Sequence, residues 1–102
     1  MNKPVRIFSK STLREFWEAG HAEVKDPLLT WHDVVSRASW VAPSDVKQTY
    51  PSASFLNDNR VVFNIKGNKY RLISDIDYAQ QRLFIRFVGT HAEYDRIDAR
   101  TI

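Results

Sequence analysis

The feature that most constrains this chain is a change of hydrophobic period near residue 60. Before it, apolar residues recur at helical spacing: Leu13, Phe16 and Trp17, then Leu28, Trp31, Val34, Val35 and Ala38. After it, they alternate with period two: Val61, Phe63 and Ile65, then Tyr70, Leu72 and Ile76, then Leu83, Ile85 and Phe87. Period 3.6 belongs to one face of a helix, and period two to one face of a strand. Helices first and strands afterwards, with short connections, predict an α+β fold in which two helices pack on an antiparallel meander.

Local signals punctuate that plan. Val5-Arg6-Ile7-Phe8 reads as a short first strand, and the hydroxyls of Ser9-Lys10-Ser11-Thr12 suit the start of a helix over about 11–19, with Gly20 closing it. Asp26 as N-cap and Pro27 at the first helical position open a second helix. Pro43-Ser44-Asp45 begins one or two further turns, and 51–59 reads as loop. Three strands follow, over 61–65, 69–76 and 82–88, the first two joined by a hairpin turn at Lys66-Gly67-Asn68, where Gly and Asn tolerate positive φ. Thr90-His91-Ala92-Glu93 matches a capping box and predicts a short C-terminal helix.

The strand residues between the apolar ones form a second face. Arg60, Val62 and Asn64, then Lys69, Arg71 and Ile73, then Arg82, Phe84, Arg86 and Val88 share it, with Asp75 as its acid and Lys66 added from the turn. Cations interleaved with an aromatic ring suit phosphates and bases together, although a solvated sheet face also favours Arg and Lys. Net charge is too small to decide: 15 Lys+Arg against 12 Asp+Glu leaves +3. The absence of cysteine excludes disulfides, thiolate zinc sites and cysteine nucleophiles. The three histidines have no metal-ligand spacing, and Gly20, Gly67 and Gly89 are isolated, so neither a metal site nor a glycine-rich phosphate loop is expected. His21 and His32 read as surface or packing residues, and Trp17, Trp31 and Trp40 as core or partner surface rather than base platforms. The first residues lack a signal-peptide apolar region and no stretch approaches the ~20 residues of a membrane span, so one cytoplasmic domain over 1–102 is expected.

Two motifs carry a family resemblance. Asn64-Ile65-Lys66-Gly67-Asn68-Lys69-Tyr70-Arg71 has the pattern N-x-x-G-N-x-x-R, and about 18 residues on Thr90-His91-Ala92-Glu93-Tyr94-Asp95 has the pattern T-H-x-E-Y-D. With Tyr50-Pro51-Ser52 ahead of them, these residues resemble the HigB-type toxins of the RelE-like toxin–antitoxin endoribonuclease group. The resemblance implies an mRNA interferase that cuts messages on translating ribosomes. It also implies inhibition by a HigA-like helix-turn-helix antitoxin in a hetero-oligomer, with operator DNA bound through the antitoxin. The same architecture hosts gyrase-directed toxins, so a non-catalytic binding module is the alternative from another functional class.

Metal-independent RNA cleavage uses the ribose 2′-OH as nucleophile and needs proton transfer and charge stabilisation, but no cofactor. Arg71 and Arg86 suit the phosphate, because a guanidinium fork matches two oxygens. His91 is the acid–base candidate, since an imidazole titrates near pH ~6.5. Tyr94, three residues on, shares its helix face and suits proton donation or stacking on a base. Lys66, Asn68, Lys69, Arg60 and Arg82 are the candidate RNA contacts. The same capping motif would equally leave His91 as a surface residue and Tyr94 packed on the sheet.

Overall fold

The computed structural model describes residues 3–57 and 59–102; Met1, Asn2 and Asp58, the last within the predicted 51–59 loop, lie outside the described residues. The order is β1 (Arg6–Phe8), α1 (Lys10–Glu18), one 3₁₀ turn, α2 (Lys25–Arg37), α3 (Pro43–Thr49), β2 (Ser54–Phe55), β3 (Arg60–Ile65), β4 (Tyr70–Asp77), β5 (Arg82–Thr90) and α4 (His91–Asp95). The strands form one sheet in the order β1-β5-β4-β3-β2. β1 runs parallel to β5, and every other pairing is antiparallel. The α+β architecture is the expected one.

The inner face of the sheet carries the core. Val61, Phe63, Ile65, Tyr70, Leu72, Ile76 and Leu83 are buried against Leu13 and Trp17 of α1, Leu28, Trp31 and Val35 of α2, and Val46 of α3. Trp40 stacks on Phe63 with ring centroids 6.2 Å apart, while Trp31 meets the same ring edge-on at 5.4 Å. The tryptophans are therefore packing residues.

Three local expectations are corrected. Asp26 is not the N-cap of α2: the turn Ala22–Val24 runs directly into the helix, whose N-cap is Val24. Pro27 still falls in the first turn, where a missing N–H has no helical partner to lose. Within the predicted loop, Ser54–Phe55 pairs with β3 as a two-residue edge strand. In the hairpin turn the positive φ values belong to Lys66 and Gly67, at 53° and 65°, rather than to Asn68.

The fourth correction matters for function. Along β4 and β5, Ile73 pairs with Phe87 and Ser74 with Ile85, so Arg86 has no opposite residue and forms a β-bulge. The bulge resets the alternation beyond it. Val88, assigned from sequence to the cationic face, packs on the core, whereas Phe87, assigned to the helix side, turns outward with Gly89. Gly89 leaves room for the Phe87 ring: a Cβ there would stand 2.5 Å from it and force it to move.

Candidate functional site

The outer face of the sheet holds Arg60, Val62 and Asn64 of β3, Arg71, Ile73, Asp75 and Asp77 of β4, and Arg82, Phe84, Arg86, Phe87 and Gly89 of β5. Part of it is covered. α4 packs on β4 and β5, and the segment after it crosses toward β3. Arg60 holds that segment, its Nη1 donating to the backbone oxygens of Ala99, Arg100 and Ile102 at 2.9–3.2 Å, while Arg100 donates to the Leu56 carbonyl at 3.0 Å. Along this path Val62 and Ile73 are buried although they point away from the helices.

At the α4 end, four expected residues come together. The Arg71 guanidinium lies over the Tyr94 ring, 5.7 Å from its centroid, a cation–π contact that holds both groups. Asn68 fixes the same guanidinium, accepting from Nη2 at its side-chain oxygen (2.6 Å) and from Nη1 at its carbonyl (3.1 Å). His91 opens α4, donating its backbone N–H to the Lys69 carbonyl at 2.9 Å, which ties the helix to the hairpin turn. The His91 ring lies 3.1 Å from the Asp95 carboxylate through Nδ1. α4 exists because its capping box closes in both directions: the Glu93 N–H donates to the Thr90 hydroxyl (3.1 Å) and the Thr90 N–H to the Glu93 carboxylate (2.8 Å). Those contacts hold the Glu93 carboxyl below its ordinary range.

Arg86 stands further along the sheet. Its Nε donates to Asp75 Oδ2 at 2.7 Å, and Asp75 also takes a bidentate pair from Arg60 at 2.7 and 2.8 Å. The Arg60 hydrogen bonds, then those of Arg86, hold the Asp75 carboxyl below its usual value despite partial burial. Arg60 is largely enclosed, its side chain 12% exposed, whereas the Arg86 side chain is 48% exposed. One carboxylate thus splits two arginines between different tasks. Arg60 anchors the chain after α4 and is not presented with the other cations, while Arg86 is aimed outward.

The remaining residues divide similarly. Lys69 lies in the turn rather than in β4 and is exposed beside Arg71. Lys66 reaches around the edge to Glu23 at 3.1 Å, and Glu23 also accepts from the Tyr70 hydroxyl. That hydrogen bond, with burial, pushes the Tyr70 hydroxyl up to about 12 and holds Glu23 low. Arg82 sits at the far end of β5, paired with Asp77 at 3.0 Å. His21 stacks on Phe16 at 4.2 Å, and burial depresses the half-buried His32, as packing histidines should. Asp75 as the positioning acid, and the clamp under Arg60, were not visible in the sequence. Its signal was limited to one acid on a cationic face.

Among the described residues no three His, Cys, Asp or Glu side chains gather as a metal site, and no helix is long and apolar enough to cross a membrane. Two hollows, of about 450 Å³ beside Trp31 and Tyr50 and about 360 Å³ between Lys10, Arg14 and Lys25, exclude Arg71, Arg86, His91 and Tyr94. Arg86 is exposed, and Arg71, His91 and Tyr94 are partly exposed.

Comparison with known proteins assigns the family. A family model described as HigB toxin, RelE-like toxic component of a toxin–antitoxin system, matches residues 24–97. The chain is 30% identical over 93 residues to the mRNA interferase toxin HigB of Escherichia coli K12, covering 89% of this chain and 88% of that one. The mRNA interferase HigB of Shigella flexneri matches at the same identity and coverage, and that of Escherichia coli O6:H1 is 27% identical over 72 residues, 69% of this chain and 70% of its own. A bulged, cation-bearing sheet face closed by a capped C-terminal helix is thus the form taken here by a member of the HigB toxin family, RelE-like toxic components of toxin–antitoxin systems, to which this chain belongs.

Proposed function

We propose that this toxin is an mRNA interferase, an endoribonuclease that cuts messages on translating ribosomes by metal-independent attack of the ribose 2′-OH. The observation that carries the reading is the Arg71 guanidinium fixed between Tyr94 and Asn68, beside His91 and on the sheet face that also bears Arg86. The names of the relatives, mRNA interferases at 30% identity, support it.

In the reaction the 2′ oxygen bonds to phosphorus and the P–O5′ bond breaks, leaving a 2′,3′-cyclic phosphate and a 5′-hydroxyl. One proton leaves the 2′-OH and one arrives on the 5′ oxygen. His91 carries one of these transfers and the Tyr94 hydroxyl is placed to assist, worth about 10²–10⁴-fold together. Arg71 and Arg86 neutralise charge gathering on the phosphoryl oxygens, which favours the transition state over the ground state. Preorganisation matters here, since Asn68, Tyr94 and Asp75 already hold the guanidiniums. Lys69 and Asn68 flank the path of the strand, Lys66 can join it only by leaving Glu23, and Arg82 extends it at the far end of the sheet.

The antitoxin is HigA-like, with a helix-turn-helix domain that carries the hetero-oligomer to operator DNA, and the toxin works in the cytoplasm. Its inhibitor either brings acidic residues to Lys69, Arg71 and Arg86 or blocks ribosome entry from the helical side. Primer extension on message incubated with the toxin, with and without ribosomes, tests the reading. Cuts within the ribosome-bound message support it, and a single 2′-deoxy nucleotide at the cut position should abolish them. Intact message in both reactions would favour a non-catalytic toxin, such as a gyrase-directed one.

A further inference from the structure

At the far end of the outer face, away from α4, a second cluster shares Arg86 with the proposed chemistry but adds two aromatic rings that the chemistry does not use. Phe8 of β1 stacks on Phe84 of β5, with ring centroids 5.3 Å apart and planes 19° from parallel. Three guanidiniums surround the pair: Arg6 lies 6.0 Å from the Phe8 centroid, and Arg82 and Arg86 each lie 5.8 Å from that of Phe84. Phe8 is 41% exposed, and its stack on Phe84 makes the exposed apolar surface a two-ring patch rather than a lone side chain. Arg82 and Arg86 are braced by Asp77 and Asp75, whereas Arg6 makes no ion pair among the described residues.

We infer that Phe8 and Phe84 form a stacking platform for an unpaired base of single-stranded RNA, a few nucleotides from the bond that is cut. The inference rests on the ribonuclease reading and extends its substrate path. A base laid on the open face of Phe8 would continue a stack already made by Phe84. Its flanking phosphates would meet Arg6 and Arg82. An aromatic pair ringed by cations matches the chemistry by which proteins hold single strands without reading sequence. Arg and aromatic residues are also enriched at protein interfaces, so antitoxin binding is read beside RNA binding in the test. The geometry is continuous with the site. Phe84 pairs with Asp75, four residues along β4 from Arg71, or about 13 Å at the ~3.3 Å rise of a strand. Arg86 lies between, touching both Asp75 and the Phe84 ring.

The test is fluorescence anisotropy with a labelled uridine-rich RNA about 12 nucleotides long, within the ~4–16-nucleotide range of single-strand sites. Phe8→Leu keeps apolar cover and removes the π face, so binding should weaken about 5- to 10-fold while Phe8→Trp binds like the parent. Arg6→Gln, a surface change that leaves the core untouched, should lower the slope of log affinity against log salt by about 0.7, one phosphate contact. Unaltered affinity in Phe8→Leu together with an unaltered slope in Arg6→Gln would overturn the platform. So would loss in Phe8→Leu of antitoxin binding alone. The underlying reading fails separately. Phe8-dependent RNA binding by a protein that cuts no message keeps the platform and removes the nuclease. Message cleavage with binding indifferent to Phe8 does the reverse.

Discussion

Asp75→Asn isolates the carboxylate that two arginines share. The substitution keeps the shape of the side chain, removes its charge and turns an amide toward guanidinium donors. Three charge-assisted hydrogen bonds of 2.7–2.8 Å are affected, two from Arg60 and one from Arg86. Removing one member of a buried pair costs about 3–5 kcal/mol, and of an exposed pair about 0–1. With Arg60 at 12% exposure and Asp75 at 26%, the case lies nearer the buried limit, and about 2–3 kcal/mol is expected. For a chain this size, that lowers the melting temperature by roughly 10–15 °C, followed by circular dichroism. The pH dependence has a definite sign. The folded carboxyl titrates below its unfolded value of ~3.9, so its contribution is present above about pH 4 and is lost as pH falls through the folded value. The gap between parent and variant should therefore narrow in acid. Cleavage should fall too, because Arg86 loses its brace. Arg60→Ala should reproduce the loss of stability, since it frees the chain after α4. A melting temperature in Asp75→Asn within a degree or two of the parent at neutral pH would refute the reasoning.

Arg86→Lys should recover only part of the cleavage lost in Arg86→Ala, because the charge returns without the fork; single-turnover rates measure this. Thr90→Ala should cost ~1 kcal/mol through the broken capping box, whereas His91→Gln should leave the melting temperature alone and slow cleavage by ~10²-fold or more. In Tyr94→Phe the ring over Arg71 is kept, so a lost rate assigns the hydroxyl a proton and a retained rate leaves Tyr94 as the support of Arg71. The Tyr70 hydroxyl, raised to about 12 against ~10 unfolded, contributes stability that is complete below pH ~10 and fades toward pH 12. The advantage of the parent over Tyr70→Phe, read by thermal melts, should shrink across that window.

Much of this was legible in the residues because the signals are local. Period-two alternation located β3, β4 and β5, and S/T-x-x-E located α4 with the capping bonds it implies. What escaped is set by contacts distant in sequence. The bulge at Arg86 depends on pairing between β4 and β5 and on a glycine that leaves room for the Phe87 ring, so strict alternation assigned Phe87 and Val88 to the wrong faces. β2 is two residues long and is paired only because β3 lies beside it. Arg60 looked like another cation on the strand, and nothing near it announced the carbonyls 39 to 42 residues away that it binds. The pairing of Arg71 with Tyr94 follows from the two motifs together, one on β4 and one on α4.

The most direct measurement is the single-turnover cleavage rate of ribosome-bound message by Arg71→Ala and Arg86→Ala, read beside their thermal stability. Both side chains act at the surface of a sheet whose core lies on its other face. The expected result is cleavage slower by ~10²–10³-fold in each, with stability within about 1 kcal/mol of the parent, the range for losing an exposed ion pair or clamp. Parental rates in either variant, or a loss of rate that merely follows a loss of fold, would contradict the assignment of this face to the chemistry.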